Sequence, residues 1–403
     1  MTPVAERLSG WAAGLEPSDD DLALAQRSLV DTLAVAAAAR AHPITDRLGA
    51  LSEGEAWAVL AHVLDLDDLH MESTAHVSAV CVPAVLAVGG DARAYLAGAG
   101  VMARLGGALG WPHYAAGWHA TCTAGAPAAA AAAATALGLG PAEVATAMAL
   151  AVPGAGGVQR AFGTAAKALQ VGFAVHAGLR AARLAGAGAS ADPRALDQWL
   201  GLVHGGPERL ALAGPAVPGG LAVKLFPCCY ALQRPIAALL AADLADLDPA
   251  HVSRVVVRTP ESALAPLIHA APTTGLEGKF SLQYAIAATL LDGRPGIDSF
   301  TDEAVARPAA QAVLARVEVD AATGGDRLLA GDVAIDLTLD DGSTLHAQLD
   351  LPPGAPDRPP SEADLARKVA DCAGEQAGEI LAVTWDDAGA LLREWLPAPQ
   401  RTV

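Results

Sequence analysis

The sequence predicts a mostly α-helical protein that combines a large all-helical domain with a smaller α+β domain. The hydrophobic fraction is 53% and aromatic residues are only 4%, so alanine, leucine and valine carry the apolar content. Apolar residues recur at helical spacing as far as about residue 245, and strict alternation appears between residues 333 and 349. The 403 residues are enough for two or three domains with ample core.

The helical half has its first clear element after Ser18. Ser18 and Asp21 fit a capping box, and acidic residues there complement the helix dipole. Apolar residues then keep helical spacing to about Arg40, at Leu22, Ala25, Leu29 and Leu33. Further helices are predicted at about 128–137, 142–152, 169–184 and 231–244. Small residues such as alanine let these helices approach closely.

The pattern changes near His251, where a run of three valines predicts a short strand that ends at Pro260. Alternating residues at 333–339 and 345–349, joined by Asp341 and Gly342, predict a hairpin with one buried face. Helices are predicted at about 276–291, from Ser361 onward, and at about 386–395. The second half therefore mixes strands and helices.

Composition excludes several classes of protein. Acidic residues outnumber basic ones 44 to 26, for a net charge of −18, so nucleic acid is not expected as a partner. Five cysteines, with Cys228 and Cys229 adjacent, show no spacing typical of zinc or iron–sulfur sites, which favours a reduced, cytoplasmic location. The N-terminus carries Glu6 and Arg7 and lacks an apolar stretch, so no signal peptide is predicted.

One uncharged stretch, residues 105–142, is long enough for a membrane span. It contains Pro112, His113, Pro127 and many glycines, and its longest apolar block is alanine, a strong helix former with little hydrophobicity. We interpret it as a buried helix that packs through its alanine face. No membrane partner is expected.

The chain has only four lysines, and three of them lie in apolar or glycine-rich surroundings: Lys167, Lys224 and Lys279. Lys368 lies on a charged amphipathic helix and is expected to be solvated. Ammonium groups in apolar surroundings need anionic partners or shift their pKa. The three lysines therefore suggest a pocket for a carboxylate-bearing substrate. Structural ion pairs or side chains that reach to solvent are the alternative.

A second cluster places three aspartates and two histidines within residues 65–76: Asp65, Asp67, Asp68, His70 and His76. A carboxylate can orient an imidazole and tune its pKa, which suits acid–base catalysis. The spacing matches no metal-binding motif, and a solvated acidic loop is the alternative reading.

His119 opens the uncharged alanine-rich helix. The positive end of that helix would keep the imidazole neutral, as a polarising or proton-transferring group. A hydrogen-bonded core histidine is the alternative. The glycine-rich segment 154–157 follows a helix and not a strand, so a dinucleotide-binding fold is disfavoured.

These segments together resemble the MmgE/PrpD family, which includes 2-methylcitrate dehydratase, cis-aconitate decarboxylase and iminodisuccinate epimerase. The matching segments run in family order and cover most of the chain: 29–35, 65–70 with His76, 117–121, 137–143, 167–172, 224–229 and 279–284. The resemblance implies a helical domain (1–221 and 386–403), an α+β lid domain (222–385), and a site between them. It also implies a homodimer that uses no metal, flavin or nicotinamide cofactor.

From the residues and the resemblance we assign two sets of site residues. The catalytic set is His119, His76, Asp65, Asp68 and Lys167. The substrate-binding set is Lys224, Lys279, His70 and Arg160. The lysines would hold carboxylates and stabilise developing negative charge, and His119 or His76 would move a proton while Asp65 or Asp68 orients it.

The sequence also departs from the family pattern. Val77 stands where many members have proline, and Gln233 where many have histidine. Cys229 stands where the decarboxylase has histidine, which argues against cis-aconitate decarboxylation. We therefore expect a lyase similar to 2-methylcitrate dehydratase, acting on a di- or tricarboxylate. An epimerase on the same substrate class and a catalytically silent carboxylate-binding paralogue are the alternatives.

Overall fold

The computed structural model describes residues 2–242, 244 and 247–395. Its α-helices, numbered α1 to α18 in chain order, are Val4–Ala13, Asp19–Ala39, Glu53–His62, Ser78–Leu86, Ala92–Ala115, Ala120–Ala136, Pro141–Ala151, Ala166–Gly186, Ala195–Leu202, Tyr230–Ala241, Glu261–Leu264, Gly275–Gly278, Leu282–Asp292, Asp302–Val305, Pro308–Leu314, Glu362–Ala373, Ala377–Leu381 and Trp385–Trp395. The strands β1 to β4 are Val252–Pro260, Val317–Ala322, Val333–Leu339 and Thr344–Leu349. Short 3₁₀ helices lie at Pro43–Ala50, Val152–Gly154, Gln159–Ala161, Pro207–Arg209, Pro249–His251, Ile297–Phe300 and Gly374–Gln376.

The helical part is built around α6, the predicted alanine helix, which packs against α4, α5, α7 and α8. Every residue of α6 from Ala120 to Ala134 is buried. Close approach explains the small side chains, because a Cβ on Gly98 of α5 would lie 2.4 Å from Ala132, and one on Gly178 of α8 would lie 2.5 Å from Ala129. The uncharged stretch is thus the centre of a core.

The helix α2 is the one described helix whose length and hydropathy would also suit a membrane span. Buried core helices pass the same test, and α2 buries ten of its residues, Leu29 and Leu33 among them. Its capping box at Ser18 is present as predicted, because the Ser18 side chain accepts from Asp21 N–H and the Asp21 side chain accepts from Ser18 N–H.

The α+β part contains a four-stranded sheet, within the described residues, of order β2-β1-β3-β4. The strands β1 and β2 pair in parallel, with Val257 opposite Val319, and the other pairs are antiparallel. Alternation puts one face of the sheet inside, including Val255, Ile335 and Leu337, and this face packs on α10. The predicted hairpin is confirmed as β3 and β4.

Each part has its own hydrophobic core. Val369 and Cys372 of α16 and Ile380 of α17 lie in the core of the helical part, where α16 packs against α2. The helices from Glu362 onward therefore pack against the helical part, and the domain boundary at residue 386 stays a prediction. The mostly α fold with a smaller α+β part is the one that the sequence predicts.

Two local predictions are wrong. The predicted helix at 276–291 is two helices, because Ser281 caps α13 and its side chain accepts from Tyr284 N–H. Lys368 is not solvated but buried, with Nζ 2.5 Å from Asp31 Oδ1 and 2.8 Å from the carbonyl oxygen of Leu66. The amphipathic period of α16 puts Lys368 at the edge of the apolar face, and only tertiary packing supplies its buried carboxylate partner.

Candidate active site

The loop between α3 and α4, residues 63–77, carries the acidic cluster into the boundary between the two parts. Leu69 pairs with Ala222 in an isolated β-bridge, which ties the loop to the start of the α+β part. Asp65 adopts a left-handed backbone with φ of 52°, a conformation that aspartate tolerates better than most residues. The loop thus turns sharply and directs successive side chains to different sides.

Asp65 is the electrostatic centre of the site. Its Oδ1 lies 2.9 Å from Lys167 Nζ and 3.1 Å from Lys224 Nζ, and all three side chains are buried. Burial opposes ionisation of Asp65, but the two ammonium groups prevail and hold its pKa well below the usual range. Lys224 is a fully buried cation whose pKa is raised, since the charge of Asp65 outweighs its burial.

A chain of hydrogen bonds links three further groups to this centre. His62 Nδ1 lies 2.7 Å from Asp67 Oδ2, and His62 Nε2 accepts from Lys167 Nζ at 2.6 Å. His76 Nδ1 lies 3.0 Å from the same Asp67 oxygen, and its Nε2 lies 3.6 Å from Asp65 Oδ1. Burial lowers the pKa of His76 to about 3, with Lys224 and Lys167 adding to the effect, so both histidines are neutral.

His119 occupies the N-cap position of α6, and its ring stacks on His62 at 5.7 Å between centroids. Its Nδ1 lies 2.6 Å from Gln170 Nε2, and its Nε2 is buried without a hydrogen-bond partner among the described residues. Burial, with Lys167 nearby, holds the pKa of His119 well below its usual range. The helix terminus acts in the same direction, so the imidazole is neutral as the sequence analysis expects.

These groups line a small cavity of about 20 Å³, which is room for one water molecule. Its walls are Asp65, Leu69, Thr74, His76, Tyr114, His119, Phe162, Lys167, Cys229, Tyr230, Phe280 and Leu328. An outer cavity of about 470 Å³ shares three of these side chains: Leu69, Tyr230 and Leu328. These three side chains, the partition, separate the inner cavity from the outer one.

Comparison with known proteins identifies the family of this chain. The sequence model of the MmgE/PrpD N-terminal domain matches residues 55–205, and that of the C-terminal domain matches residues 226–386. The chain belongs to the MmgE/PrpD family. It is also 26% identical over 264 residues to human cis-aconitate decarboxylase, over 60% of this chain and 52% of that protein. The chain thus matches about half the length of that relative, and the family is one of lyase-type enzymes.

Within this MmgE/PrpD fold, the structure brings together four of the sequence-predicted residues: Asp65, His76, His119 and Lys167. It adds His62 and Asp67, which complete the hydrogen-bonded chain. The sequence analysis overlooks His62, because a histidine at the end of an apolar helix gives no local signal. It notices Asp67 as part of the acidic cluster without assigning it a role.

Asp68, one of the expected catalytic residues, lies outside the cavity wall. Its carboxyl accepts from Ser78 N–H and contacts Ser78 Oγ, which in turn contacts Tyr95. Burial raises the pKa of Asp68 to about 7. The turn at Asp65 sends the side chains of Asp65 and Asp68 in different directions, and Asp67, not Asp68, contacts the histidines.

The expected substrate-binding residues also lie outside the cavity wall. Lys224 holds Asp65, and Lys279 donates to the carbonyl of Pro227 at 2.6 Å. His70 is buried between Ser73 Oγ and the carbonyl of Pro218, where it braces the loop, and Arg160 is exposed. The cationic group in the cavity wall is Lys167.

Two of the departures from the family pattern, Gln233 and Cys229, have local structural consequences. Gln233 accepts from the backbone N–H groups of Leu225 and Phe226 at 3.0 Å and donates to the carbonyl of Phe226. It therefore organises the segment that precedes Cys229. Burial raises the pKa of Cys229 to about 12, so this wall residue is a neutral thiol.

The same cluster of histidines and aspartates also has the residue types that bind metal ions. Donor atoms of His62, Asp65, Asp67 and His76 lie within 4.8 Å of one another. However, Lys167 and Lys224 already supply the charge that a cation would bring to Asp65, and Lys167 Nζ occupies the Nε2 lone pair of His62. The residues are therefore arranged as a salt-bridge network and not as a set of free metal ligands.

Proposed function

We propose that this protein is a cofactor-independent lyase that removes water from a hydroxy-polycarboxylate. The observation that carries the proposal is the inner cavity, whose wall combines the ammonium of Lys167 with the neutral imidazoles of His76 and His119. A cation, a base and a hydrogen-bond donor are the groups that proton abstraction beside a carboxylate requires. Exclusion of water strengthens each of these interactions.

The charges of the site are balanced before a substrate binds. Asp65 and Asp67 are ionised, Lys167 and Lys224 balance them, and the histidines are neutral. A bound carboxylate next to Lys167 competes with Asp65 for the ammonium group and makes a nearby neutral imidazole a stronger base. The protein's net charge of −18 does not oppose this locally, because distant charges are screened beyond about 8–10 Å in physiological salt.

In the proposed step, an imidazole takes the proton from the carbon next to a carboxylate, and Lys167 stabilises the charge that develops on that carboxylate. The carbon–oxygen bond to the hydroxyl group then breaks, a double bond forms, and an acid protonates the departing oxygen to give water. We assign this last role to Tyr230, because its hydroxyl has Met71 Sδ, at 3.8 Å, as its one hydrogen-bond partner among the described residues, and its burial keeps it protonated.

An epimerase on the same substrate class is the second candidate. Two neutral imidazoles, His76 and His119, lie in one cavity wall, and a proton taken by one could be returned to the other face by the second. This reaction needs no departing hydroxyl and therefore no role for Tyr230. A homodimeric, cytoplasmic enzyme is part of the proposal, and light scattering of the purified protein tests the dimer.

Proton NMR of the purified enzyme in D₂O tests the proposal. The panel is 2-methylcitrate, citrate, cis-aconitate and iminodisuccinate, with the His119→Ala protein as control. New olefinic signals support dehydration, whereas deuterium incorporation or a new diastereomer supports the epimerase. Loss of a carboxylate would show decarboxylation and overturn both. Unchanged spectra with every compound favour the carboxylate-binding paralogue.

A further inference from the structure

Gln170, on α8, presents its amide nitrogen to His119 Nδ1 at 2.6 Å. The backbone of Val158 fixes the orientation of this amide. Val158 N–H donates to Gln170 Oε1 at 3.1 Å, and Gln170 Nε2 donates to the Val158 carbonyl at 3.3 Å. Turning the amide over would set N–H against N–H and oxygen against oxygen, so Nε2 must face His119.

An amide nitrogen can only donate, so His119 Nδ1 must accept. Cys122 Sγ lies 3.2 Å from the same ring nitrogen, and burial keeps this thiol protonated. The neutral ring therefore carries its proton on Nε2, the buried nitrogen without a partner among the described residues. The ionisable side chains that face the ring are Lys167 from α8, His62 from α3, Cys122 from α6, and His76 and Asp67 from the loop.

We propose that Gln170 is a positioning residue that selects the Nε2–H tautomer of His119, so that His119 donates a hydrogen bond to a substrate carboxylate and does not act as the base. The inference rests on the proposed function and deepens it. A ring with its proton on Nε2 offers no lone pair toward the cavity, and it can stabilise negative charge without changing its own protonation. Proton abstraction then falls to His76, and His119 stays neutral throughout.

The chain contains internal references for the test. His70 Nε2 faces the carbonyl of Pro218 at 2.8 Å, so His70 carries its proton on Nε2. His113 Nδ1 faces the carbonyl of Val203 at 2.6 Å, so His113 carries its proton on Nδ1. Each carbonyl can only accept, which fixes both tautomers independently of Gln170.

Nitrogen NMR of the full-length protein labelled with ¹⁵N-histidine makes the first measurement, with ring signals assigned from the His119→Asn, His70→Asn and His113→Asn proteins. We expect the His119 nitrogens to show the pattern of His70, with a protonated Nε2. A pattern like that of His113 would overturn the proposal. This measurement needs no substrate, so it fails or succeeds independently of the proposed function.

The variant Gln170→Glu makes the second measurement, with Gln170→Leu as its control. A carboxylate at this position accepts from Nδ1–H, so His119 should change to the His113 pattern while the reference signals stay. We expect kcat to fall roughly 10²- to 10³-fold, as when one oxyanion donor is lost. Gln170→Leu presents no acceptor, so its ring should not take the Nδ1–H pattern and its loss should be smaller. Retention of Nε2–H in Gln170→Glu, or equal losses in both variants, would overturn the role of Gln170.

Discussion

Replacement of Lys224 by methionine separates a supporting role from substrate binding. Lys224 is fully buried, donates to the carbonyl of Asp65 at 2.8 Å, and lies 3.1 Å from Asp65 Oδ1. Lys368 makes the same two kinds of contact, with the carbonyl of Leu66 and with Asp31. The two lysines thus hold consecutive carbonyl groups of the loop, Lys224 from the α+β part and Lys368 from α16.

The magnitude follows from the burial of both pairs. Removal of one partner of a buried ion pair costs about 3–5 kcal/mol, because an uncompensated charge is left behind. Asp65 keeps Lys167 at 2.9 Å, so we expect the lower end, about 3 kcal/mol, for Lys224→Met. Lys368→Met should cost a similar amount, since Asp31 can take a proton when its ammonium is lost. Either loss is a large share of a typical stability of about 5–15 kcal/mol.

Urea unfolding and steady-state kinetics on both variants provide the assay. Both should unfold at lower urea, and both should keep KM close to that of the unmodified enzyme. If Lys224 bound a substrate carboxylate directly, the lost charged hydrogen bond, about 1.5–3 kcal/mol, would raise KM roughly 10- to 150-fold. Such a rise in Lys224→Met alone, or unfolding at the unmodified protein's urea concentration, would refute the supporting role.

Three further predictions concern the cavity and the loop. Lys167→Ala and His119→Ala should each lower kcat/KM at least about 10²-fold with unchanged circular dichroism, and near-normal turnover in both would contradict the site. Binding of a dicarboxylate should leave His76 neutral, because its pKa starts from about 3 and a base must keep a free lone pair; calorimetry in two buffers should show no proton uptake, and an uptake that His76→Gln abolishes would contradict the role of His76 as the base. The pKa of Asp68 is raised to about 7 from 3.8, so the folded state binds this proton more tightly than the unfolded state. Stability should therefore fall as pH rises from about 4 to 7, by at most about 4 kcal/mol, and Asp68→Asn should flatten that slope in urea titrations at several pH values.

Elements with local signals are predictable from this sequence. The capping boxes at Ser18 and Ser361 and the alternation of β3 and β4 depend on neighbouring residues alone, and all are present. The burial of α6 is predictable because alanine and glycine permit close helix contacts and no charge interrupts them. The family resemblance adds the approximate site, and the cavity brings together His76, His119 and Lys167.

Side-chain direction within the site is not predictable in the same way. The positive φ at Asp65 decides that Asp65 and Asp67 face the histidines and lysines while Asp68 turns to Ser78. The burial of Lys368 depends on Asp31, a residue far away in the sequence. The apolar surroundings of the lysines correctly predict that they are buried. Their separate roles depend on tertiary contacts, since Lys224 contacts Asp65 and Lys167 lines the cavity.

The inner cavity must open before a substrate can enter it. A cavity of about 20 Å³ cannot hold a polycarboxylate, so binding requires an opening. Separation of the two parts would break the contact of Lys224 with Asp65, which we assign about 3 kcal/mol, together with the surrounding packing. Displacement of one partition side chain, Leu328, exposes a single leucine and costs about 1.5–3 kcal/mol. Its loop, residues 323–332, is otherwise largely exposed, so the second route is the less costly one.

We therefore expect Leu328→Ala to join the two cavities. Cys229 lines the inner cavity and Cys228 beside it does not, so the rate at which a small thiol reagent modifies Cys229 reports the opening. Leu329 lines only the outer cavity and provides the matched control, Leu329→Ala. Faster modification of Cys229 in Leu328→Ala alone supports access past the partition. Lys224 contacts Asp65 across the boundary between the two parts, so Lys224→Met should ease their separation. If Cys229 is modified at equal rates in the two leucine variants but faster in Lys224→Met, the substrate enters by separation of the two parts.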